Sequence, residues 1–208
     1  GHWHAKHNGN LMIAISDGGG ANIASVQFAL ERLGAASVLT KDVKMIQSAD
    51  KVLLPGVGAA PVAMQSLTEY GLIDCIRGLT QPVMGICLGM QLLFKVSPEG
   101  NTPLLGICDA DCKTFTPVQG RSVPHMGWNR LSKQQDHPLM AGVDEGAHVY
   151  FVHSYFAPET AQTIATTSYG DDFTAIVAEN NFMGCQFHPE KSGLVGAQIL
   201  RNFLEMPS

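Results

Sequence analysis

Short apolar segments alternate with helical segments along the first half of the chain, and this alternation limits the folds open to it. Apolar runs at Met12–Ser16, 37–40, Lys51–Leu54 and Val83–Ile86 have the length and composition of buried strands. Apolar residues at helical spacing follow the first run, and residues 59–79 and 88–96 also have helical character. Such alternation predicts an α/β fold with a mostly parallel central sheet and helices on both faces.

The second half of the chain has a different pattern. Short β-type runs at 148–155, 163–168, 174–178 and 183–187 are separated by turns, and residues 194–204 resemble a closing helix. No repeat, low-complexity tract or linker separates the two halves. We therefore expect residues 12–208 to form a single domain, in which a small antiparallel extension continues the parallel sheet.

Residues 1–11 stand apart from this domain. They carry His2, His4 and His7 and show no apolar periodicity. A metal site is one interpretation of the three histidines. A disordered leader or tag is the interpretation we prefer, because clustered histidines before a first strand are typical of such segments.

Composition excludes several classes of protein. The chain has 208 residues, of which 45% are hydrophobic and 15% charged, so it is not a disordered polypeptide. The net charge of −5 contains no block of like charges and does not favour a nucleic-acid surface. No apolar run reaches the ~18 residues of a membrane span. The five scattered cysteines favour free thiols and a cytoplasmic location.

Gly85-Ile-Cys87-Leu-Gly89 joins a predicted strand to a predicted helix. It has the form of a nucleophile elbow, with cysteine in the place of serine. Side chains at the two glycine positions would collide in so tight a turn. The start of a helix favours a thiolate at Cys87, and the amide of Leu88 is placed to donate to an oxyanion beside the sulfur.

The remaining cysteines lack this glycine frame. Cys75 falls in an apolar helical stretch and Cys185 in an apolar strand, so both are expected to be buried structural residues. Cys108 and Cys112 form a C-x3-C pair with no second pair nearby, which makes a zinc site an unfavoured alternative.

A thiolate nucleophile needs a proton acceptor, usually a histidine held by a third group. His188 and Glu190 follow an apolar strand, and in an extended chain these two positions project to the same side. The carboxylate would fix the tautomer of the ring and stabilise its charged form. We therefore predict that Cys87, His188 and Glu190 act together.

Three segments together resemble the class I, triad-type glutamine amidotransferases: Pro55-Gly-Val-Gly58, Gly85-Ile-Cys-Leu-Gly-Met-Gln91 and Gln186-Phe-His-Pro-Glu190. The likeness runs from about Met12 to the C-terminus and implies a flavodoxin-like fold. Two further segments are similar to the glutaminase subunits of imidazole glycerol phosphate synthase, which serve histidine biosynthesis: Pro124-His-Met-Gly-Trp-Asn129 and Tyr150-Phe-Val-His-Ser-Tyr155.

This resemblance implies the hydrolysis of glutamine through a cysteinyl thioester. Cys87 would attack the side-chain amide, His188 would protonate the departing ammonia, and water would release glutamate. The amides of Val57 and Leu88 would hold the oxyanion. The residues implied in binding glutamine are Gly58, Gln91, His153, Ser154 and Tyr155. No cofactor and no metal is implied.

The resemblance also implies a partner. The ammonia would pass to a cyclase subunit that makes imidazole glycerol phosphate and an aminoimidazole carboxamide ribonucleotide. A (β/α)8 barrel of ~250 residues does not fit in this chain, so the cyclase would be a separate polypeptide in a heterodimer. Met126, Trp128 and Lys191 are our candidates for the docking face. We expect no nucleic-acid or membrane partner.

Several other functions fit part of the sequence. A cysteine hydrolase or peptidase on a similar fold would use the same pair of residues, and so would the glutaminase subunit of another class I amidotransferase. A subunit that only regulates a synthase would not need an intact triad. Nucleotide binding at Asp17-Gly-Gly-Gly-Ala-Asn22 is disfavoured because the run lacks both the Gly-x-Gly-x-x-Gly spacing and the P-loop lysine.

Overall fold

The structure is a computed structural model that describes residues 11–16, 23–56 and 58–208. The strands of the first half of the chain are β1 (Met12–Ser16), β2 (Ala36–Thr40), β3 (Lys51–Leu54), β4 (Val83–Ile86), β5 (Val96–Ser97), β6 (Thr102–Pro103) and β7 (Lys113–Thr114). They are followed by β8 (His125–Arg130), β9 (Ser132–Lys133), β10 (His148–His153), β11 (Tyr155–Phe156), β12 (Thr163–Tyr169), β13 (Asp171–Glu179) and β14 (Phe182–Cys185). The α-helices are α1 (Ile23–Arg32), α2 (Val43–Ser48), α3 (Ala60–Glu69), α4 (Leu72–Arg77), α5 (Leu88–Gln91) and α6 (Gly193–Leu204).

Eight of the described strands form one sheet in the order β2-β1-β3-β4-β14-β13-β12-β9. The strands from β2 to β14 in this order are parallel, and β13, β12 and β9 continue the sheet antiparallel. A separate antiparallel pair, β8 with β10, lies outside the main sheet. The predicted parallel sheet with an antiparallel extension is confirmed.

Alternate residues of the central strands belong to two hydrophobic cores. In β1, Ile13 and Ile15 belong to the core that contains Leu30 of α1 and Phe203 of α6. Ala14, between them, belongs to the core that contains residues of α2, α3 and α4. Because successive residues of a strand point to opposite faces, the two cores lie on the two sides of the sheet. Helices on both faces are thus confirmed.

Two helix predictions need correction, and one helix was missed. The stretch 59–79 is two helices, α3 and α4, because Gly71 between them has φ 67°. The helix predicted over 88–96 ends at Gln91, since the carbonyls of Leu92 and Leu93 accept hydrogen bonds from residues 105–108 instead of continuing the helix. Helix α2 was not predicted, although Asp42 caps it by accepting from the Lys44 amide.

Two sequence predictions fall largely outside the described residues. Of the leader predicted at 1–11, only Leu11 is described, and it is 5% exposed. The glycine run at 17–22 lies entirely outside the described residues. Among the helices of the described segments, none is long and apolar enough to cross a membrane.

Candidate active site

Cys87 lies at the turn between β4 and α5, at the carboxyl edge of the parallel strands. Its backbone has φ 56° and ψ −113°, a left-handed conformation that few residues besides glycine adopt. A Cβ on Gly85 would overlap the backbone of Gly89, and a Cβ on Gly89 would overlap the carbonyl oxygen of Leu54. The turn therefore requires glycine at both positions, as the sequence predicts.

His188 and Glu190 reach the same edge because β14 lies beside β4 and parallel to it. Nδ1 of His188 is 3.1 Å from Oε2 of Glu190, and the two side chains are 5% and 4% exposed. The extended chain expected between them is wrong, because Pro189–Lys191 forms a 3₁₀ turn. This turn brings the Glu190 carboxylate back to the His188 ring. The predicted contact therefore forms through a turn and not through an extended chain.

The surroundings of His188 suit it to carry a proton. Burial opposes its positive charge, but the neighbouring Cys87 and Glu190 outweigh burial and raise the pKa of His188 to about 9. Its Nε2 makes no hydrogen bond of good geometry with a described residue. Glu190 thus holds the ring through Nδ1, and Nε2 is left available to exchange a proton, the arrangement that general acid–base catalysis uses.

A cavity of about 400 Å³ opens beside Cys87. Its lining residues are Gly58, Cys87, Leu88, Gln91, Glu99, Pro124, Val152, His153, Ser154 and Tyr155. The five residues predicted to bind glutamine all belong to this set. Another cavity, of about 540 Å³, lies where β4 and β14 begin and contains no cysteine in its lining.

Glu99 was missed by the sequence analysis. It is the only carboxylate among the lining residues described above, and its Oε1 accepts a hydrogen bond of 2.7 Å from the amide of Ala60. Glu99 begins a short 3₁₀ turn that no motif marks. Its position depends on the turns that follow α5, and for this reason no local pattern could indicate it.

Gln91 uses both hydrogens of its side-chain amide within the protein. Nε2 donates to the carbonyl oxygen of Tyr155 at 2.8 Å and to Oε1 of Gln186 at 2.9 Å. A backbone carbonyl only accepts, so the contact with Tyr155 fixes which end of the Gln91 amide is nitrogen. Oε1 is consequently the polar atom of Gln91 that can contact a ligand in the cavity.

The proposed oxyanion donors are not both available in this conformation. The amide of Leu88 donates to the carbonyl oxygen of Gly56 at 3.2 Å. An oxyanion at Cys87 can therefore use this N–H only after the Gly56 carbonyl moves away. Val57, the other expected donor, lies outside the described residues.

The side chain of His153 faces a second histidine. Its Nδ1 donates to the Tyr155 carbonyl at 2.8 Å, and its Nε2 therefore accepts from Nδ1 of His125 at 2.9 Å. Burial lowers the pKa of His153 to about 3 and that of His125 to about 4, so both rings are neutral near pH 7. His153 is thus unsuited to be a general base, and His188 remains the candidate for that role.

The predicted docking residues lie on the surface. Met126 and Trp128 of β8 are 62% and 56% exposed, and Lys191, the last residue of the 3₁₀ turn that holds Glu190, is also exposed. Met126 pairs in register with Val152, which lines the cavity beside Cys87. The two exposed apolar side chains therefore lie one strand away from the cavity.

The other cysteines are buried thiols: Cys75, Cys108, Cys112 and Cys185. Burial raises the pKa of all four, to about 12 for Cys108 and Cys112. Within the described part of the chain, no group of three or more His, Cys, Asp or Glu side chains is arranged to hold a metal ion.

Comparison with known proteins agrees with this geometry. The sequence model of the family "Glutamine amidotransferase class-I" matches residues 15–206. The chain is 51% identical over 194 residues to imidazole glycerol phosphate synthase subunit HisH of Xanthomonas axonopodis pv. citri, and the match covers 93% of this chain and 97% of that relative. It is 50% identical over 211 residues to the HisH subunit of Shewanella oneidensis, covering 93% and 96% of the two chains.

Solved structures show the same fold at lower identity. A glutamine amidotransferase crystal structure aligns with a TM-score of 0.71 at 21% identity, covering 93% of this chain and 97% of that one. Another, from Thermotoga maritima, aligns with a TM-score of 0.59 at 17% identity, covering 86% and 76%.

Proposed function

Since the chain belongs to the class-I glutamine amidotransferases, and among them to the family of HisH subunits of imidazole glycerol phosphate synthase, we propose that it hydrolyses glutamine to supply ammonia to that synthase in histidine biosynthesis. The observation that carries this proposal is the position of Cys87. It lies on a strained elbow beside the buried His188–Glu190 pair and lines a cavity large enough for an amino acid.

The reaction has two halves. The Cys87 sulfur bonds to the amide carbon of glutamine, and the carbonyl electron pair moves onto oxygen. When that pair returns, the C–N bond breaks and His188 gives its Nε2 proton to the departing ammonia. Water then attacks the thioester and loses a proton to His188, and glutamate leaves as the thiolate re-forms. Glu190 keeps Nδ1 protonated and the ring oriented throughout.

The cavity offers groups suited to the amino-acid end of glutamine. Oε1 of Gln91 and the carboxylate of Glu99 can accept hydrogen bonds from the α-ammonium group. Backbone groups of His153, Ser154 and Tyr155, with Gly58 opposite, are assigned to the α-carboxylate. This assignment places the side-chain amide towards Cys87, where the reaction occurs.

The oxyanion is held by the amides of Leu88 and Val57 in the active conformation. Leu88 donates to the Gly56 carbonyl in the conformation described above, so activation includes the loss of that hydrogen bond. A missing oxyanion donor costs about 10²–10³-fold in rate. The free subunit is therefore expected to be a slow glutaminase that its partner accelerates.

The partner is a cyclase subunit with a (β/α)8 barrel, bound as a heterodimer. The relatives are named as subunits of a synthase, which supports the existence of a partner. Met126, Trp128 and Lys191 form the proposed docking face, because the two apolar side chains are exposed close to the cavity and Lys191 directly follows the triad glutamate. The free thiols fit a reducing compartment, and we place the protein in the cytoplasm.

A glutamine analogue with a diazoketone in place of the amide tests this function. We expect the analogue to alkylate Cys87 alone, as read by peptide mass spectrometry, and glutamine to protect against it. Cys108→Ser is the matched control and should be labelled like the wild type, whereas Cys87→Ser should not be labelled. Labelling of a different cysteine, or labelling that glutamine does not slow, would contradict the assignment.

A further inference from the structure

Gln186 is fully buried next to the nucleophile, and neither the triad nor the binding of glutamine accounts for it. Its side-chain Nε2 lies 3.9 Å from the Sγ of Cys87, within the range of a hydrogen bond to sulfur. Its Oε1 accepts from Nε2 of Gln91. A buried amide is normally paired at both ends, and here both partners belong to the active site.

The orientation of the Gln186 amide follows from its neighbours. The Tyr155 carbonyl requires nitrogen at that end of the Gln91 amide, and the second hydrogen of the same Nε2 points to Gln186. Gln186 must therefore present oxygen to Gln91, because nitrogen there would bring two donors together. Its own N–H group is left facing the sulfur of Cys87.

The N–H donor of the Gln186 side chain matters because a backbone carbonyl that also lies close to the sulfur opposes a thiolate. Sγ of Cys87 lies 3.5 Å from the carbonyl oxygen of Val152, which can accept from a thiol but repels a negative charge. The titratable groups beside the sulfur are His188 with Glu190 behind it, and those that line the cavity with Cys87 are His153, Tyr155 and Glu99. Of these, protonated His188 favours the thiolate and the carboxylates oppose it.

We propose that Gln186 is a further catalytic residue, which stabilises the Cys87 thiolate by donating its side-chain N–H to sulfur, and that Gln91 positions it. This inference deepens the proposed glutaminase function and rests on it. Gln91 then has two tasks: its oxygen contacts the substrate, and its nitrogen keeps the Gln186 amide turned so that its donor faces the sulfur.

The test is the pH dependence of Cys87 alkylation by iodoacetamide, measured peptide by peptide in the whole chain. Gln186→Met has the same length but no N–H. Loss of a hydrogen bond to a charged group should move the midpoint up by about one pH unit and slow alkylation about three- to tenfold at low pH. The rate at high pH should stay equal or rise up to about threefold, because a less acidic thiolate is more nucleophilic.

Three further variants separate this role from a structural one. Gln186→Glu, which presents only acceptors to the sulfur, should move the midpoint further than Gln186→Met. Gln91→Met should move it in the same direction, and the double variant Gln91→Met/Gln186→Met should show no more than the shift of Gln186→Met, because Gln91 acts through Gln186. Gln81→Met is the control: Gln81 donates to the backbone at Ile46 and Ala49, so its loss should lower stability without moving the midpoint.

An unchanged midpoint in Gln186→Met overturns the proposal, and additive shifts in the double variant overturn the positioning role of Gln91. Iodoacetamide needs no glutamine site, so a shifted midpoint in a chain that does not hydrolyse glutamine would refute the proposed function alone. Normal glutaminase activity with an unshifted midpoint would refute this inference alone.

Discussion

Cys87 differs from the other cysteines of the chain in its backbone and in its neighbours. Its φ of 56° turns the residue out of the sheet into a cavity, whereas Cys185, the last residue of β14, is completely buried. The glycine frame that allows this conformation could be recognised from the sequence, because sterics in a tight turn depend on adjacent residues. The contacts of Gln186 with Cys87 and Gln91 could not, since they join segments about 100 residues apart in the chain.

Glu190→Gln tests the contribution of the negative charge at Glu190, because glutamine keeps the size of the side chain and removes its charge. Removing the carboxylate takes away one of the groups that raise the pKa of His188 to about 9, so the pH optimum for glutamine hydrolysis should change and kcat should fall about 10–100-fold. We expect a milder loss than for His188→Ala, because Glu190 orients the ring and transfers no proton. An effect on KM alone would contradict the assigned role.

The same substitution should change how stability depends on pH. Since the pKa of His188 is higher in the folded protein than its ordinary 6.5, its protonation stabilises the fold below pH 6.5, and this contribution is lost as pH rises towards 9. It amounts to about 3 kcal/mol at most. Urea unfolding from pH 6 to 9 should show a smaller decline in Glu190→Gln than in the wild type. Parallel declines in the two proteins would mean that the carboxylate does not hold the charge on His188.

At the level of elements, the strands were easier to predict than the ends of the helices. β1, β3 and β4 lie at the predicted residues because short apolar runs between turns leave little choice of register. Helix α5 was predicted too long because its apolar continuation pairs instead with residues 105–108, a long-range contact that local pattern does not contain. The antiparallel pairing of β8 with β10 was likewise not predicted, although β10 was predicted as a strand.

Gly89→Ala tests the packing of the elbow against β3. The added Cβ would overlap the Leu54 carbonyl oxygen, so α5 must move away from the strand. We expect a loss of about 3 kcal/mol in the free energy of unfolding, with a large loss of glutaminase activity. Gly78→Ala is the control, because Gly78 has φ −87° at the end of α4 and its Cβ would meet only a tight contact with the Asp74 carbonyl. Equal effects of the two substitutions would contradict the account of the elbow.

The buried histidines of β8 and β10 should make the fold sensitive to acid. Burial lowers the pKa of His125 to about 4, so below pH 6.5 the unfolded chain takes up a proton that the folded chain does not. Stability is therefore lost as pH falls from 6.5 towards 4, by up to about 1.4 kcal/mol per pH unit for this residue. His125→Gln should flatten that part of the curve in urea unfolding. A slope as steep as the wild type's would show that His125 is not held neutral.

For the whole molecule, the motifs predicted the triad and the family resemblance predicted five residues that line the cavity. The structure adds the contacts between these segments. The hydrogen bond from Leu88 to the Gly56 carbonyl joins the first residue of α5 to the loop after β3, so no motif could predict it. Glu99 joins the cavity for the same reason. We propose that these long-range placements set how the subunit responds to a partner.

Trp128→Ala tests the docking face. Truncating an exposed aromatic anchor at the centre of an interface should weaken binding to the cyclase about 30-fold, corresponding to about 2 kcal/mol. It should also lower the activation of glutamine hydrolysis at limiting cyclase, because the docked state is less populated. Phe28→Ala is a matched control, since Phe28 of α1 is as exposed as Trp128, at 56%. Equal binding by Trp128→Ala and the wild type would remove β8 from the interface.

The most direct test of the central claim is the transfer of nitrogen from glutamine to the product of the synthase. Purified chain, cyclase and the nucleotide substrate are supplied with glutamine labelled with ¹⁵N in its amide, and imidazole glycerol phosphate is analysed by mass spectrometry. We predict ¹⁵N in the product, faster glutamine turnover than by the free subunit, and no label from Cys87→Ser, which should still support synthesis from added ammonium salt. Labelled product from Cys87→Ser, or glutamine turnover by the wild type that the cyclase and nucleotide do not change, would contradict the account.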